Sequence, residues 1–191
     1  MSADKKRMLF VCFELALMCV ALDQFTKYQA VTHLKGQPSV PLITGVLELA
    51  YVENFGAAFG ILQNARLLFT VISSLAVIVL LYILYKMPYQ KKYVPLFFML
   101  SLILSGAVGN LIDRIRTGYV VDFIYFSLID FPVFNIADIC VTCGAFTLVL
   151  LAVFRYRDED FRFLNAASEK ARREETRKEE QKDTGGEEKD A

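Results

Sequence analysis

The chain has 191 residues, of which 55% are hydrophobic, and its 21 Lys and Arg are balanced by 21 Asp and Glu. A length of this order suits one domain, but the hydrophobic share is too high for an ordinary soluble protein. The composition points to the membrane, and no nucleic-acid partner is expected.

Four segments are apolar enough to cross a bilayer, whose hydrocarbon core of about 30 Å requires roughly 20 helical residues. The first segment follows Lys5, Lys6 and Arg7 and so resembles a signal peptide. However, no small-residue cleavage site follows it, so a retained anchor is the better interpretation. The predicted spans are about 8–27, 67–85, 94–112 and 134–154.

The distribution of positive charge predicts the orientation of these spans. Lys and Arg are more frequent before the first span, between the second and third, and after the fourth than in segments 28–66 and 113–133. Because positive loops stay in the cytoplasm, both termini are expected there. The spans form a predicted membrane domain over residues 1–155, and residues 156–191 form a charged, disordered cytoplasmic tail.

The first outer segment, about 28–66, contains "SVPLITGVLELAYVENFGAAFGIL". Its short β-branched runs, punctuated by Pro and Gly, favour a small sheet or hairpin on the outer membrane surface over another helix. The small residues of "GAAFG" are suited to a close approach of backbone or ligand. Asn54, which lies beside them, suits either a turn or a contact with a ligand.

Cysteine and histidine give little sign of metal or redox chemistry. Cys140 and Cys143 form a CxxC, but no second pair accompanies it, and His33 has no local partner. Free cysteines in apolar runs usually pack as small hydrophobes. We therefore predict no metal site and no cofactor.

Charged and amide side chains near the spans are rare and are by default functional. Asp23 and Lys27 are spaced for an ion pair at the outer end of the first span, in either an anchoring or a catalytic role. Asn110, Asp113 and Arg114 share one face of the third helix if it continues that far. Such a set can hold a peptide backbone, or merely cap the helix and pair internally.

Asp122 lies in the apolar stretch "GYVVDFIYF", where an ionised carboxylate is costly. Asn135 and Asp138 share a face at the start of the fourth span, and the loop between the spans can bring Asp122 beside Asp138. Two adjacent carboxylates would share a proton and activate water, as in aspartic proteases. The alternative is that each Asp separately caps a helix, as Asp138 could in the first turn of its span.

Two other functions are compatible with the composition. A proton-coupled carrier or channel subunit would also place Asp residues in the membrane, but through its depth rather than at one end. A noncatalytic scaffold would leave the Asp pair unexplained.

The motifs "DQFTK", "ENFGAAFG", "GNLIDRIRTGYVVDFI" and "FNIAD", in this order around four spans, resemble those of lipoprotein signal peptidase, the bacterial type II signal peptidase. The resemblance covers about residues 8–155. It implies a four-helix membrane bundle with a small β cradle on the outer face. It also implies an aspartic endopeptidase of the inner membrane that removes signal peptides from diacylglyceryl-modified prolipoproteins, cutting before the lipidated cysteine.

The resemblance also implies roles for individual residues. The catalytic aspartates are then Asp122 and Asp138. Family members position substrate, and bind the antibiotic globomycin, with residues that match Asn54, Asn110, Arg114 and Asn135. Residues that match Asp23, Lys27 and Asp113 support the site. The expected partners are the prolipoprotein substrate and membrane lipid, and the expected state is a monomer.

Overall fold

The computed structural model describes residues 2–56, 66–161 and 163 of the chain. In chain order its main elements are helix α1 (Ala3–Leu34), strands β1 (Val40–Ile43) and β2 (Leu47–Asn54), helices α2 (Arg66–Lys86) and α3 (Val94–Arg116), strand β3 (Val120–Tyr125) and helix α4 (Ile136–Phe154).

All four helices are long and apolar enough to cross a membrane, which confirms the four predicted spans. Large apolar side chains such as Phe13, Leu75 and Phe146 are exposed on α1, α2 and α4. An apolar exterior of this extent requires lipid rather than water around it. The protein is therefore a multi-pass membrane protein with a small sheet, as the sequence predicts.

Helix α3 lies at the centre of the bundle and packs against α1, α2 and α4. Small residues allow α4 to approach it closely: a Cβ added at Gly106 would collide with the carbonyl oxygen of Ala137, and one at Gly144 would lie 2.7 Å from the side chain of Ile103. Close backbone approach through small residues is a common way for membrane helices to pack. It brings the start of α4 beside the end of α3.

Helix α1 is longer than predicted and continues past Lys27 to Leu34. The outer segment expected to be β-like over 28–66 is therefore helical at first, and β1 begins only at Val40. The extension has a packing reason, because Ala30 and Leu34 are one helical turn apart and are buried against Val121 and Phe123 of β3. These last turns of α1 form the support for the sheet.

The sheet is antiparallel, in the order β1-β2-β3. β3, which follows α3 in the chain, pairs with β2. Asp122 lies opposite Val52, and Val120 lies opposite Asn54. The sequence predicts strands only before residue 66 and misses β3, because the run "VVDFIY" is too short to distinguish a strand from the end of a span.

At the opposite end of the bundle the helix ends are joined by hydrogen bonds. Lys5 Nζ donates to the carbonyl of Tyr85 at 2.5 Å, and Tyr156 donates to the carbonyl of Lys92 at 2.5 Å. Tyr156 is buried and stacks on Tyr93. The start of the predicted disordered tail is therefore ordered, because these aromatic side chains pack back onto α3. Residues 162 and 164–191 of the tail, and residues 57–60 of "GAAFG", lie outside the described residues.

Candidate active site

The alternation of side chains along β3 positions Asp122. Val121 and Phe123 point toward the end of α1, whereas Val120 and Asp122 line a cleft on the opposite face. This is the ordinary period of two in a strand. Because the apolar residues on either side are fixed in the core, the carboxylate of Asp122 is held with only 2% of its surface exposed.

The first turn of α4 positions Asp138 through a capping box with Asn135. The side-chain oxygen of Asn135 accepts from the backbone N–H of Asp138 at 3.0 Å, and Oδ2 of Asp138 accepts from the backbone N–H of Asn135 at 3.2 Å. Each residue thereby satisfies one N–H that the helix leaves unpaired. Asp138 does cap its helix, but its other oxygen remains available for a second role.

A bridge between Ile124 and Phe134 brings the strand and the helix together. The backbone N–H of Phe134 donates to the carbonyl of Ile124 at 3.0 Å, and that of Ile124 donates to Phe134 at 2.8 Å. Phe126 stacks on Phe134 and closes the intervening loop. The loop therefore places Asp122 and Asp138 at one cleft, as the sequence predicts.

Two amide side chains connect the two carboxylates. Asn135 donates from Nδ2 to Oδ1 of Asp122 at 2.6 Å and to Oδ1 of Asn110 at 3.2 Å. Asn110 in turn donates from Nδ2 to Oδ1 of Asp138 at 2.7 Å. Asn54, at the end of β2, donates to Oδ2 of Asp122 at 2.9 Å. Hydrogen bonds from Asn135, Asn110 and Asn54 thus fix the orientation of the two carboxylates.

We call the hydrogen-bonded chain from Asp122 through Asn135 and Asn110 to Asp138 the amide relay. Next to this relay lies a buried ion cluster centred on Lys27. Its ammonium is 2.9 Å from Oδ2 of Asp23 and 2.9 Å from Oδ2 of Asp113, and it donates to Oδ1 of Asn110 at 2.9 Å. The Lys27 ammonium can only donate hydrogen bonds, so the Asn110 side chain turns its acceptor Oδ1 toward Lys27. Its donor Nδ2 therefore faces Asp138. The predicted pair of Asp23 and Lys27 is confirmed.

The two acidic members of the cluster also bind backbone. Oδ1 of Asp23 accepts from the N–H of Ala137 at 2.9 Å, in the first turn of α4. Oδ2 of Asp113 accepts from the N–H of Val121 at 3.2 Å, next to Asp122. Each carboxylate therefore ties the cluster to one of the two elements that carry the candidate acids.

The cleft has a volume of about 460 Å³ and is mostly apolar. Arg114 lines it and lies over the ring of Phe69 at 5.7 Å. The lining residues come from the end of β2 and the chain just after it, from α3, β3 and α4, and from the loop before α4: Asn54, Gly56, Asn110, Arg114, Val120, Asp122, Phe131, Pro132, Val133, Phe134, Asp138, Ile139, Thr142 and Cys143. A mostly apolar cleft of this size with a few polar groups is typical of a ligand-binding site.

Burial raises the pKa of Asp122 to about 7. The hydrogen bonds from Asn54 and Asn135 oppose this rise, because they stabilise the ionised carboxylate, while the negative charge of Asp138 adds to it. Two interacting carboxyl groups titrate as a pair. At neutral pH such a pair can hold one proton, and can therefore take a proton from water and donate one to a carbonyl oxygen.

The structure joins eight of the predicted residues in one hydrogen-bonded network: Asn54, Asp122, Asn135, Asn110, Asp138, Lys27, Asp23 and Asp113. Arg114 adjoins it by donating to the carbonyl of Asn110 at 3.4 Å. The buried carboxylates of this network lie at one end of the bundle, whereas a proton carrier would need them through its depth.

Two of the predicted residues, Asn135 and Asp113, are buried. Asn135, predicted to position substrate, has 0% exposed surface and donates to Asp122 and Asn110. Asp113, for which the sequence left a pair with Arg114 as one alternative, pairs with Lys27. The reason is geometric, since Asp113 is buried against α1 whereas Arg114 lines the cleft.

Sequence reasoning also missed two contacts. Gln24 donates to Oδ1 of Asp113 at 3.0 Å and to the carbonyl of Gly109 at 3.2 Å, which links α1 to α3. The position of Gln24 beside Asp23 in "DQFTK" could have indicated that it takes part in the same polar cluster. Phe69 faces Arg114 from α2, and no local pattern distinguishes it from the other apolar residues of that helix.

Comparison with known proteins gives concordant results. The family described as signal peptidase (SPase) II matches residues 15–154 of this chain. The lipoprotein signal peptidase of Caldanaerobacter subterraneus subsp. tengcongensis is 50% identical, over 71% of this chain and 91% of its own. The lipoprotein signal peptidase of Brevibacillus brevis is 46% identical, over 73% of this chain and 92% of its own. A bacterial membrane enzyme solved by the in meso method is similar with a TM-score of 0.66 at 35% identity, over 77% of this chain and 94% of its own.

Proposed function

The chain belongs to the signal peptidase II family, and we propose that Asp122 and Asp138 are the catalytic pair with which it acts as an aspartic endopeptidase. It removes signal peptides from lipoproteins. The observation that carries the proposal is the amide relay, in which Asn135 and Asn110 join the two carboxylates at one cleft.

The mechanism follows from the different surroundings of the two acids. We assign the shared proton to Asp122, because it is the more deeply buried of the two carboxyl groups, with 2% of its surface exposed, and burial raises its pKa to about 7. Asp138 lies in the first turn of α4, where the helix dipole and the N–H of Asn135 suit a negative charge. Asp138 is therefore the general base and Asp122 the general acid.

In the first step, Asp138 takes a proton from water as the water oxygen attacks the scissile carbonyl carbon. Asp122 donates its proton to the carbonyl oxygen, and a tetrahedral intermediate forms. In the second step, the carbonyl re-forms, its proton returns to Asp122, and Asp138 protonates the departing amide nitrogen as the C–N bond breaks. The products are a free carboxyl end on the signal peptide and a free amino group on the lipidated cysteine.

The substrate class is supported by the position of the cleft. A diacylglyceryl-modified cysteine keeps its acyl chains in the bilayer and its peptide bond near the interface. The cleft lies at the end of the bundle that carries the sheet, and Arg114 and the exposed part of Asn54 face it. These two polar side chains bind the substrate backbone, while the apolar lining accepts the lipidated segment.

The proposed orientation puts both termini in the cytoplasm and the sheet on the outer face of the inner membrane. It is supported by the basic residues at the end of the bundle opposite Asp122 and Asp138, the proposed catalytic dyad. Among these basic residues are Lys5, Lys86 and Lys92. The protein acts as a monomer and is surrounded by membrane lipid. A reporter that is active only in the cytoplasm, fused after the C-terminus, tests the orientation.

The decisive experiment replaces Asp122 and Asp138 by Asn, one at a time, in purified membranes supplied with a diacylglyceryl-modified prolipoprotein. Each variant should lose at least about 100-fold in cleavage rate, since each removes one partner of the proton transfer. Asp130→Asn is a matched control, because Asp130 lies outside the cleft with φ 49°, a conformation that Asn also adopts readily. Retained cleavage by a folded Asp122→Asn or Asp138→Asn protein would refute the assignment.

A chelator tests the catalytic type separately. The two carboxylates need no metal to activate water, so activity should be unchanged after chelation. Loss of activity that added metal restores would rule out the aspartic mechanism.

A further inference from the structure

A second concave surface lies at the end of the bundle opposite the dyad. Helices α1 and α2 both pack on α3 but scarcely on each other, and the space between them is a groove of about 260 Å³. Leu9, Phe13 and Ala16 line it from α1, Leu81 and Tyr85 from α2, and Leu104 forms part of its floor on α3. We call this surface the α1–α2 groove.

The wall of the groove is apolar even where polar residues line it. The hydroxyl of Ser101 donates to the carbonyl of Phe97 at 2.7 Å, and the thiol of Cys12 contacts the same carbonyl at 3.7 Å. Both polar atoms are thereby turned to backbone. The surface presented to a ligand is hydrocarbon, which suits an alkyl chain and no hydrogen-bonding group.

The groove and the lysine beside its end together span about one leaflet of a bilayer. The lining on α1 runs from Leu9 to Ala16, about 10 Å at 1.5 Å per residue, and Lys5 lies one turn, about 6 Å, before it. Half of a hydrocarbon core of about 30 Å is about 15 Å. An acyl chain that starts at the level of Lys5 therefore ends near Ala16.

The mouth of the groove is positively charged. Lys5 donates to the carbonyl of Tyr85 at 2.5 Å and lies over its ring, and Lys86 lies over the ring of Tyr82. Lys86 directly follows Tyr85, whose carbonyl Lys5 binds, so the two positive charges lie at the same end of α2. Within the described ranges neither lysine forms an ion pair with a carboxylate.

We propose that the α1–α2 groove binds an anionic phospholipid, with one acyl chain between α1 and α2 and the phosphate between Lys5 and Lys86. The anion relieves the repulsion between the two lysines, and the chain covers apolar surface that α1 and α2 leave open. A zwitterionic lipid offers the same chain, but the positive charge of its own headgroup opposes that of the lysines. The site is independent of the peptidase reaction and selects lipid in the leaflet away from the dyad.

The absence of tryptophan from the chain makes a direct test available. Phe13→Trp places a single fluorophore on the groove wall, and Phe10→Trp places one at a similar exposure, 63% against 61%, outside the groove. The full-length protein is reconstituted in vesicles of phosphatidylcholine that contain increasing amounts of brominated phosphatidylglycerol or brominated phosphatidylcholine. Quenching of tryptophan then gives the relative binding constant of each lipid at each position.

Phosphatidylglycerol should bind about tenfold more tightly than phosphatidylcholine at the Phe13→Trp position, given two lysines at the mouth. At the Phe10→Trp position the two lipids should differ little. Lys5→Gln with Lys86→Gln should abolish the preference, and Lys5→Arg with Lys86→Arg should retain it. Lys6→Gln with Lys91→Gln removes the same charge from the same end of the bundle and should also retain it.

Three outcomes would overturn the proposal: no headgroup preference at Phe13→Trp, an equal preference at Phe10→Trp, or an equal loss in both Gln double variants. The last two would mean that phosphatidylglycerol only accumulates near a basic surface. Helicity and peptidase activity, which the groove does not share, serve as the check that each variant is folded.

Discussion

The side-chain nitrogen of Asn135 donates a hydrogen bond of 2.6 Å to Oδ1 of Asp122, and neither residue has more than 2% of its surface exposed. The contact joins the N-cap of α4 to the middle of β3. Because a buried carboxylate needs hydrogen-bond partners, the cap of one element also determines the orientation of an acid on another.

Asn135 should therefore have two separable roles, in the stability of α4 and in catalysis. Asn135→Ala removes both the cap and the amide, and should cost about 1–2 kcal/mol in the free energy of unfolding together with most of the activity. Asn135→Ser keeps a capping oxygen but has no amide to give to Asp122. Thermal unfolding and cleavage rates should show that Ser recovers stability but not activity. Equal recovery of both would mean that Asn135 acts only as a cap.

The pKa of Asp122, raised to about 7, predicts an alkaline limit to activity. As the general acid, Asp122 must be protonated, so kcat/KM should fall as the pH rises through about 7. Asn54→Ala removes a hydrogen bond that stabilises the ionised form, so the pKa of Asp122 should rise further. The midpoint of the decline should move upward by about one pH unit, even though the maximal rate falls.

The control for this pH profile is Tyr125→Phe. Tyr125 lies on the same strand, but its hydroxyl bonds Asp130 rather than Asp122, so the midpoint should stay in place. A downward shift in Asn54→Ala, or none, would contradict the assignment of Asp122 as the acid.

Lys27 should be essential to folding as well as to the site. Lys27→Met leaves Asp23 and Asp113 buried without their cation, and breaking a buried pair in this way typically costs about 3–5 kcal/mol. Lys35→Gln breaks the exposed pair with Glu53 and should leave stability nearly unchanged. Denaturant unfolding of the purified protein compares the two. Similar losses in both variants would show that the cluster contributes no more than a surface pair.

Cys143 offers a way to probe the cleft by chemical modification. It is exposed and lines the cleft together with Asp138, whereas Cys12 and Cys140 are buried. A small membrane-permeant maleimide should therefore inactivate the protein by filling the cleft at Cys143. Cys143→Ser should be active and resistant, and Cys19→Ser should remain sensitive. Inactivation of the Cys143→Ser protein at an unchanged rate would mean that the reagent acts elsewhere.

Much of this organisation is local and could be predicted from the sequence. Four apolar runs of sufficient length specify four spans, because a bilayer leaves the backbone few other conformations. The spacing of Asp23 and Lys27 specifies an ion pair on one helix face, and that of Asn135 and Asp138 specifies neighbours at a helix start. The isolated carboxylate in "GYVVDFIYF" already marks Asp122 as costly, since no nearby residue in the sequence neutralises it.

The tertiary structure decided how these parts act on one another. Only the packing of β3 on the extended end of α1 determines which face of the strand Asp122 occupies, since a shift of one residue would bury it on the wrong side. Only the approach of α1, α3 and α4 brings Lys27 to the oxygen of Asn110, and so turns the amide nitrogen to Asp138. Hydrogen bonds between residues far apart in the chain depend on distance and direction in space, and a sequence pattern specifies neither beyond the element in which it lies.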